Sequence, residues 1–319
     1  MTVATGNYGR LAFGYETTFG SGGTATLDFG YGAKLTGSNI NRNIRMLYNI
    51  GSPTAKKPVA LQYEGTFGVD GILTNDNLFE AIFGQGSKEE LDTNDDTIID
   101  THQYTVQTKP QPLYVEYGFS GDENILIGLK GCLIRSASIS ARINDPIKYK
   151  INCVYQKPVK SNPSTIDAVD PPTAQDVFTF VDANLTFMGQ TFIVQDFSMN
   201  LDLGSNNVYG LGSAFTQDMF RGKLAVSGSA TVLAQKDDVI DLAFSLGASN
   251  TGVTEPVDSS SVDETQTASL VLNGGDGRSI TFDLQGVAID KLSQDLEAGE
   301  MVVFSIDYLA MLASATYTF

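Results

Sequence analysis

From Val59 to Leu73 the chain alternates: Val59, Leu61, Tyr63, Phe67 and Val69 fall on one face, and Gln62, Glu64, Thr66 and Asp70 on the other. A period of two belongs to a strand with one buried face, so a long strand is predicted here. The alternation returns later, where Leu224, Val226, Ala230 and Val232 oppose Lys223, Ser227, Ser229 and Thr231. Behind each strand the period becomes helical. Leu78, Phe79, Ile82 and Phe83 share a face, with Asn75 or Asp76 as cap and Gly84 as stop. In the second stretch Val239, Ile240, Ala243 and Phe244 take those places between Asp237 and Gly247.

The two stretches sit 161 residues apart, the spacing that brings Tyr48 of "YNIGS" onto Tyr209 of "YGLGS". Asn39, Asp76, Phe83 and Gly86 then meet identical residues at Asn200, Asp237, Phe244 and Gly247. Farther on the spacing is 155, aligning "ILIGLKGCLIRSAS" from Ile125 with "ITFDLQGVAIDKLS" from Ile280. The buried faces stay in phase, where a slip of one residue would invert them. This predicts an internal duplication. The fold class expected is all-β: two tandem β-sandwich or partial-barrel domains, each with one short helix. Expected boundaries are an N-terminal arm at 1–30, a first domain at 31–156, a Pro-rich linker at 157–176 and a second domain at 177–319.

Composition fits that reading: 319 residues hold two ordinary cores, and 32 Gly, 13 Tyr and 18 Phe favour strands and turns. The formal charge of −17 argues against gripping nucleic-acid phosphates, which takes clustered Lys and Arg. An acidic body instead lets DNA pass without sticking. Cys132 and Cys153, the only cysteines, form neither a disulfide scaffold nor a zinc knuckle. The opening residues carry no export signal and no apolar run approaches a membrane span, so synthesis in the cytoplasm is the expectation.

Candidate chemistry is sparse. His102 is the only histidine, no nucleophile elbow accompanies it, and a surface position is expected. The acidic loop at 88–100 resembles a calcium loop at Asp92, Asn94 and Asp96. Thr97 replaces the required glycine and Gln103 the bidentate glutamate, so a solvated loop is expected. "NGGDGRS" reads as a hairpin turn, since it lacks the phosphate-binding lysine. No enzyme and no cofactor or metal are expected.

Taken together, "FGYETTFG" from Phe13, "SNINRNIRMLYNIGSPTAKKPVALQYEGTFGVDGILTNDNLFEAIFG" and "YGLGSAFTQDMFRGKLAVSGSATVLAQKDDVIDLAFSLG" resemble tail tube proteins of tailed viruses. The resemblance implies packed sheets with a flanking helix, and inner strands that join between subunits into a barrel around a channel. Simple members carry one unit and form hexameric rings, so two units imply trimeric rings with pseudo-sixfold symmetry. It further implies a virion tail location after assembly in the host cytoplasm. Implied partners are tape-measure, tail-terminator and baseplate or sheath proteins, with genomic DNA in transit and no membrane span.

The resemblance implies that the loop before the second long strand of each unit reaches the adjacent ring. The stacking candidates are Arg42, Arg45, Met46, Tyr48, Gly51, Lys56 and Lys57 in the first unit. In the second they are Tyr209, Gly212, Phe215, Met219, Phe220 and Arg221. Aromatics, Met and Arg are what protein interfaces enrich, though ordinary hairpin loops also carry them. Glu64 and Asp70 are candidates for the lumen, expected to be an acidic channel in which carboxylates outnumber cations and through which DNA passes into the host; the outer surface or the space between sheets are their alternatives. A head-decoration or adhesin-like module and an enzyme on a doubled sandwich are the rival readings.

Overall fold

A computed structural model describes residues 9–48, 50, 54–93, 99–119, 125–160, 177–179, 183–187, 189–233, 264–274, 277–295 and 303–319. The first half carries β1 (Gly9–Tyr15), β2 (Leu27–Asp28), β3 (Tyr31–Asn41), β4 (Ile44–Tyr48), β5 (Ala55–Ala60), β6 (Glu64–Ile72) and the helix α1 (Phe79–Phe83). It continues through β7 (Lys88–Leu91), β8 (Thr101–Thr105), β9 (Leu113–Phe119), β10 (Ile125–Arg142), β11 (Lys148–Tyr155) and β12 (Lys157–Lys160). The second half holds β13 (Ala183–Phe187), β14 (Gln190–Phe192), β15 (Val194–Asp202), β16 (Asn206–Tyr209), β17 (Thr216–Phe220) and β18 (Ala225–Leu233). Its last strands are β19 (Thr267–Asn273), β20 (Ser279–Gln285), β21 (Ala288–Asp295), β22 (Val303–Ala310) and β23 (Leu312–Thr318). The all-β expectation holds.

One antiparallel wall runs β3-β6-β11-β10-β15-β18-β22-β21. β10 is long enough to serve two layers. Its C-terminal part lies in this wall, and its N-terminal part pairs with β9 and β12 in the layer behind. The turn between them is Gly131, whose φ of 62° a side chain would disfavour. The second half builds its outer layer as β14-β13-β19-β20-β23, extended by β8 and β7 from the first half. Between wall and outer layers lies the core, with Phe67, Val69, Ile139, Ile151, Met199 and Ile306 facing Leu113, Leu129, Phe282 and Leu284.

Local departures from the sequence reading have identifiable causes. The predicted strand 59–73 breaks after Ala60, because the Tyr63 N–H donates to the Ala214 carbonyl (2.7 Å) instead of to a ladder partner; Leu61 is left exposed. The helix starts at Phe79 and has no side-chain cap. Asp76, an expected cap, instead accepts from Tyr104 Oη (2.6 Å) and pairs with His102 Nδ1 (2.7 Å). A helix this short is held by burial of Phe79, Ile82 and Phe83, not by capping. Residues 157–160, read as the start of a linker, form β12 on β10; residues 161–176 and the second predicted helix lie outside the described residues.

The pairing order recurs from half to half with two of its irregularities, while the β3–β6 bulge between Thr36 and Asn39 has no counterpart in β15–β18. β6 and β18 have the same bounds at a spacing of 161. In hairpin β4–β5 Tyr48 pairs with Ala55 and a bulge follows Leu47; in β16–β17 Tyr209 pairs with Thr216 and a bulge follows Val208. At the spacing of 155, the β10–β11 bulge between Ile134 and Ser136 meets the β21–β22 bulge between Ile289 and Lys291. Gly286, the counterpart of Gly131, also has a φ of 62°.

Candidate assembly surface

Hairpin β16–β17 does not project from the molecule; it folds across the first half. Arg221 carries the connection, donating from Nη1 to the carbonyls of Phe83 (2.7 Å) and Gln107 (3.1 Å) and from Nη2 to that of Ile82 (2.7 Å). These carbonyls include the last ones of α1, which have no partner within the helix and form its negative end. Burial draws the guanidinium down to about 10, which leaves it charged at neutral pH. Met219, 5% exposed, covers Leu133 and Val154. The Phe215 ring lies 5.2 Å from that of Tyr63, whose carbonyl accepts from Tyr209 Oη (3.3 Å). Gln156 Nε2 donates to the Thr216 carbonyl (2.8 Å).

This placement removes Arg221 and Met219 from the stacking set, because both are committed inside the chain. Phe220 and Phe215 keep exposed ring area, and Gly212 sits at the hairpin tip with a φ of 90°. Hairpin β4–β5 is different: Arg42, Arg45, Met46, Tyr48, Lys56 and Lys57 are all exposed. Gly51 lies outside the described residues. The sequence reading missed Ile44, Leu47, Ile50 and Leu211, which are exposed on the same hairpins. Ile50 and Leu211 stand at the centres of "YNIGS" and "YGLGS", so the repeated pentapeptide itself held the signal. Clustered exposed apolar side chains of this kind mark an interaction surface.

Glu64 and Asp70 lie on the face of the wall turned away from Phe67 and Val69, with Glu64 exposed and Asp70 3.8 Å from Lys34 Nζ. Cross-strand pairing places Asp196, Asp202 and Asp307 on that same face, and also the cations Lys34, Arg142, Lys148, Lys150 and Lys291. Between them stand Ser138, Ser140, Asn152, Ser198, Asn200 and Ser229. The face is therefore close to balanced in charge and rich in short hydroxyl and amide groups. The large acidic excess of the chain resides elsewhere.

Other groups that attracted notice in the sequence are structural. His102, expected at the surface, is largely buried between Asp76 and the Phe319 ring, whose centroid is 4.5 Å away. Within "FGYETTFG", buried Glu16 accepts from the N–H groups of Gly20 (2.7 Å), Gly22 (2.9 Å) and Gly131 (3.1 Å). Burial raises its carboxyl above the ordinary range, opposed by those N–H donors. One side chain thus fixes both the loop after β1 and the turn in β10. Cys132 and Cys153 are buried, and burial pushes both thiols up, away from the reactive thiolate. The residues joining β19 to β20 carry "NGGDGRS", as a hairpin connection should. Of the acidic loop, 94–98 lie outside the described residues; Asp100 accepts from Thr93 N and Oγ1 (3.1 and 2.6 Å). Among the described residues no helix is long and apolar enough to cross a membrane.

No curated protein matches the chain. The family model described as phage tail tube protein matches residues 6–285, which include six of the eight wall strands, all but β21 and β22, together with both hairpins and the outer layers except β23. With that match, the chain belongs to the phage tail tube protein family and is a structural component of a viral tail.

Proposed function

We propose that the chain contains two copies of one tube-building unit, and that three chains close a ring of pseudo-sixfold symmetry whose stacking makes a hollow tube. The observation that carries this reading is the wall of strands. Its outermost members, β3 and β21, each pair on one side only among the described residues. Unpaired strand edges of this length invite partners, and a closed ring of copies satisfies them all. The bulges shared by the two hairpins and by the β10–β11 and β21–β22 pairs support the duplication.

In this reading the polar face of the wall lines the channel, with Glu64 and Asp70 among its residues. DNA meets hydroxyls, amides and nearly cancelling charges, a surface without the clustered cations that hold phosphates. Hairpin tips around Tyr48 and Tyr209 contact the next ring. The tape-measure, terminator and baseplate or sheath proteins of the tail are the remaining partners, and assembly takes place in the host cytoplasm before the tail joins the virion.

Electron microscopy of the purified chain tests the reading. Hollow tubes of stacked rings are expected; discrete particles at every protein and salt concentration would overturn it and favour a head-decoration or adhesin-like role.

A further inference from the structure

The halves of the chain meet at a joint with two parts. At the strand edge, β10 pairs antiparallel with β15, with Ser138 opposite Asn200 and Ala137 opposite Leu201. Beside it, hairpin β16–β17 folds back over the first half and brings Met219 into one buried cluster with Leu133 and Val154. Every element of this joint has a counterpart in the other half: β21 for β10, β3 for β15, and β4–β5 for the folded hairpin. Among the described residues those counterparts are the strand edges paired on one side only and the exposed hairpin.

Burial follows the same division. Val154, in the Met219 cluster, is 2% exposed, whereas its counterpart Leu309 is 49% exposed. Leu201, inside the internal joint, is 2% exposed, and its counterpart Ile40 is 56% exposed. Apolar side chains that are covered where the halves meet are thus uncovered at both outer ends, one complementary surface at each end. Such a head-to-tail surface fits a second copy of the same chain.

We infer that successive chains join as the two halves of one chain do: β21 pairs antiparallel with β3 of the next copy, Ser293 opposite Asn39 and Leu292 opposite Ile40, while the β4–β5 hairpin of that copy lies over Leu309. The inference rests on the ring reading above and adds to it a register and a face. The register follows from moving Ser138 to Ser293 and Asn200 to Asn39 at the two spacings of the repeat. In this joint Pro58 takes the place of Met219 and Ala60 that of Arg221, so the outer joint lacks the guanidinium that secures the inner one.

Disulfide trapping tests this. A chain carrying Ser293→Cys and Asn39→Cys is oxidised under conditions that give tubes; Cys132 and Cys153 remain, since both are buried. Ser138→Cys with Asn200→Cys calibrates the reaction inside one chain. Ser293→Cys with Lys34→Cys, four ladder positions out of register on the same face, is the control. Directly opposed residues sit within disulfide reach, and a four-residue offset adds roughly 13 Å. Covalently linked chains are expected from the 39/293 pair, at least about tenfold above the control. Tubes without that bond, or with equal bonding in the control, would overturn the register and leave the tube reading standing. Leu309→Glu gives a second measurement: folded monomers are expected, with the 138/200 bond still forming, and assembly like the parent would overturn the joint. Chains that stay monomeric without any substitution, by sedimentation and microscopy alike, would instead overturn the proposed function.

Discussion

Arg221 shows how much one side chain can decide. It arrives from the second half and closes the carbonyl end of a helix in the first, where Ile82, Phe83 and Gln107 present oxygens to it. Removing it takes the guanidinium donor from the Ile82 and Gln107 carbonyls, while Phe83 keeps the Gln107 N–H, and opens a cavity, so Arg221→Ala is expected to cost about 2–4 kcal/mol. Urea denaturation measures this, and a loss below about 0.5 kcal/mol would reject the clamp. Arg221→Lys should recover only part of the loss, since an ammonium cannot span the same fork of carbonyls. Nothing in the local sequence "DMFRGKL" reveals this destination, because the partner lies in the chain's other half.

At the scale of elements, legibility followed locality. The alternation in β6 and β18 could be read directly, and Phe67, Val69, Val226, Ala230 and Val232 are buried as expected. The break at 61–63 could not, because a carbonyl from a distant hairpin captures the Tyr63 N–H. Met219 looked like an exposed interface residue for the same reason: its hairpin packs inward. The hairpin tips remain open, with Ile50 and Leu211 fully exposed at equivalent positions. If the tips join ring to ring, Ile50→Asp with Leu211→Asp is expected to permit rings and abolish tubes, because each charge would need costly desolvation at the contact. Normal tube lengths by electron microscopy would reject that role for the tips.

For the whole molecule the charge of −17 opposes assembly, since every chain repels the next. Screening shortens that repulsion from about 30 Å at 0.01 M salt to about 8 Å at 0.15 M. The critical concentration for tube formation is therefore expected to fall as salt rises over this range, measured by pelleting. A rise would mean that attractive ion pairs dominate the joints. The sequence showed the sign of the charge but not its distribution; only strand pairing shows that the polar face of the wall is nearly balanced.

The substitution of Ala60 for Arg221 between equivalent hairpins has a mechanical consequence. A ring assembled through these joints has alternating seams, one sealed when each chain folds and the next sealed only by association. Strain on the tube would open the second kind first, and the fracture would run between whole chains, leaving each pair of units intact.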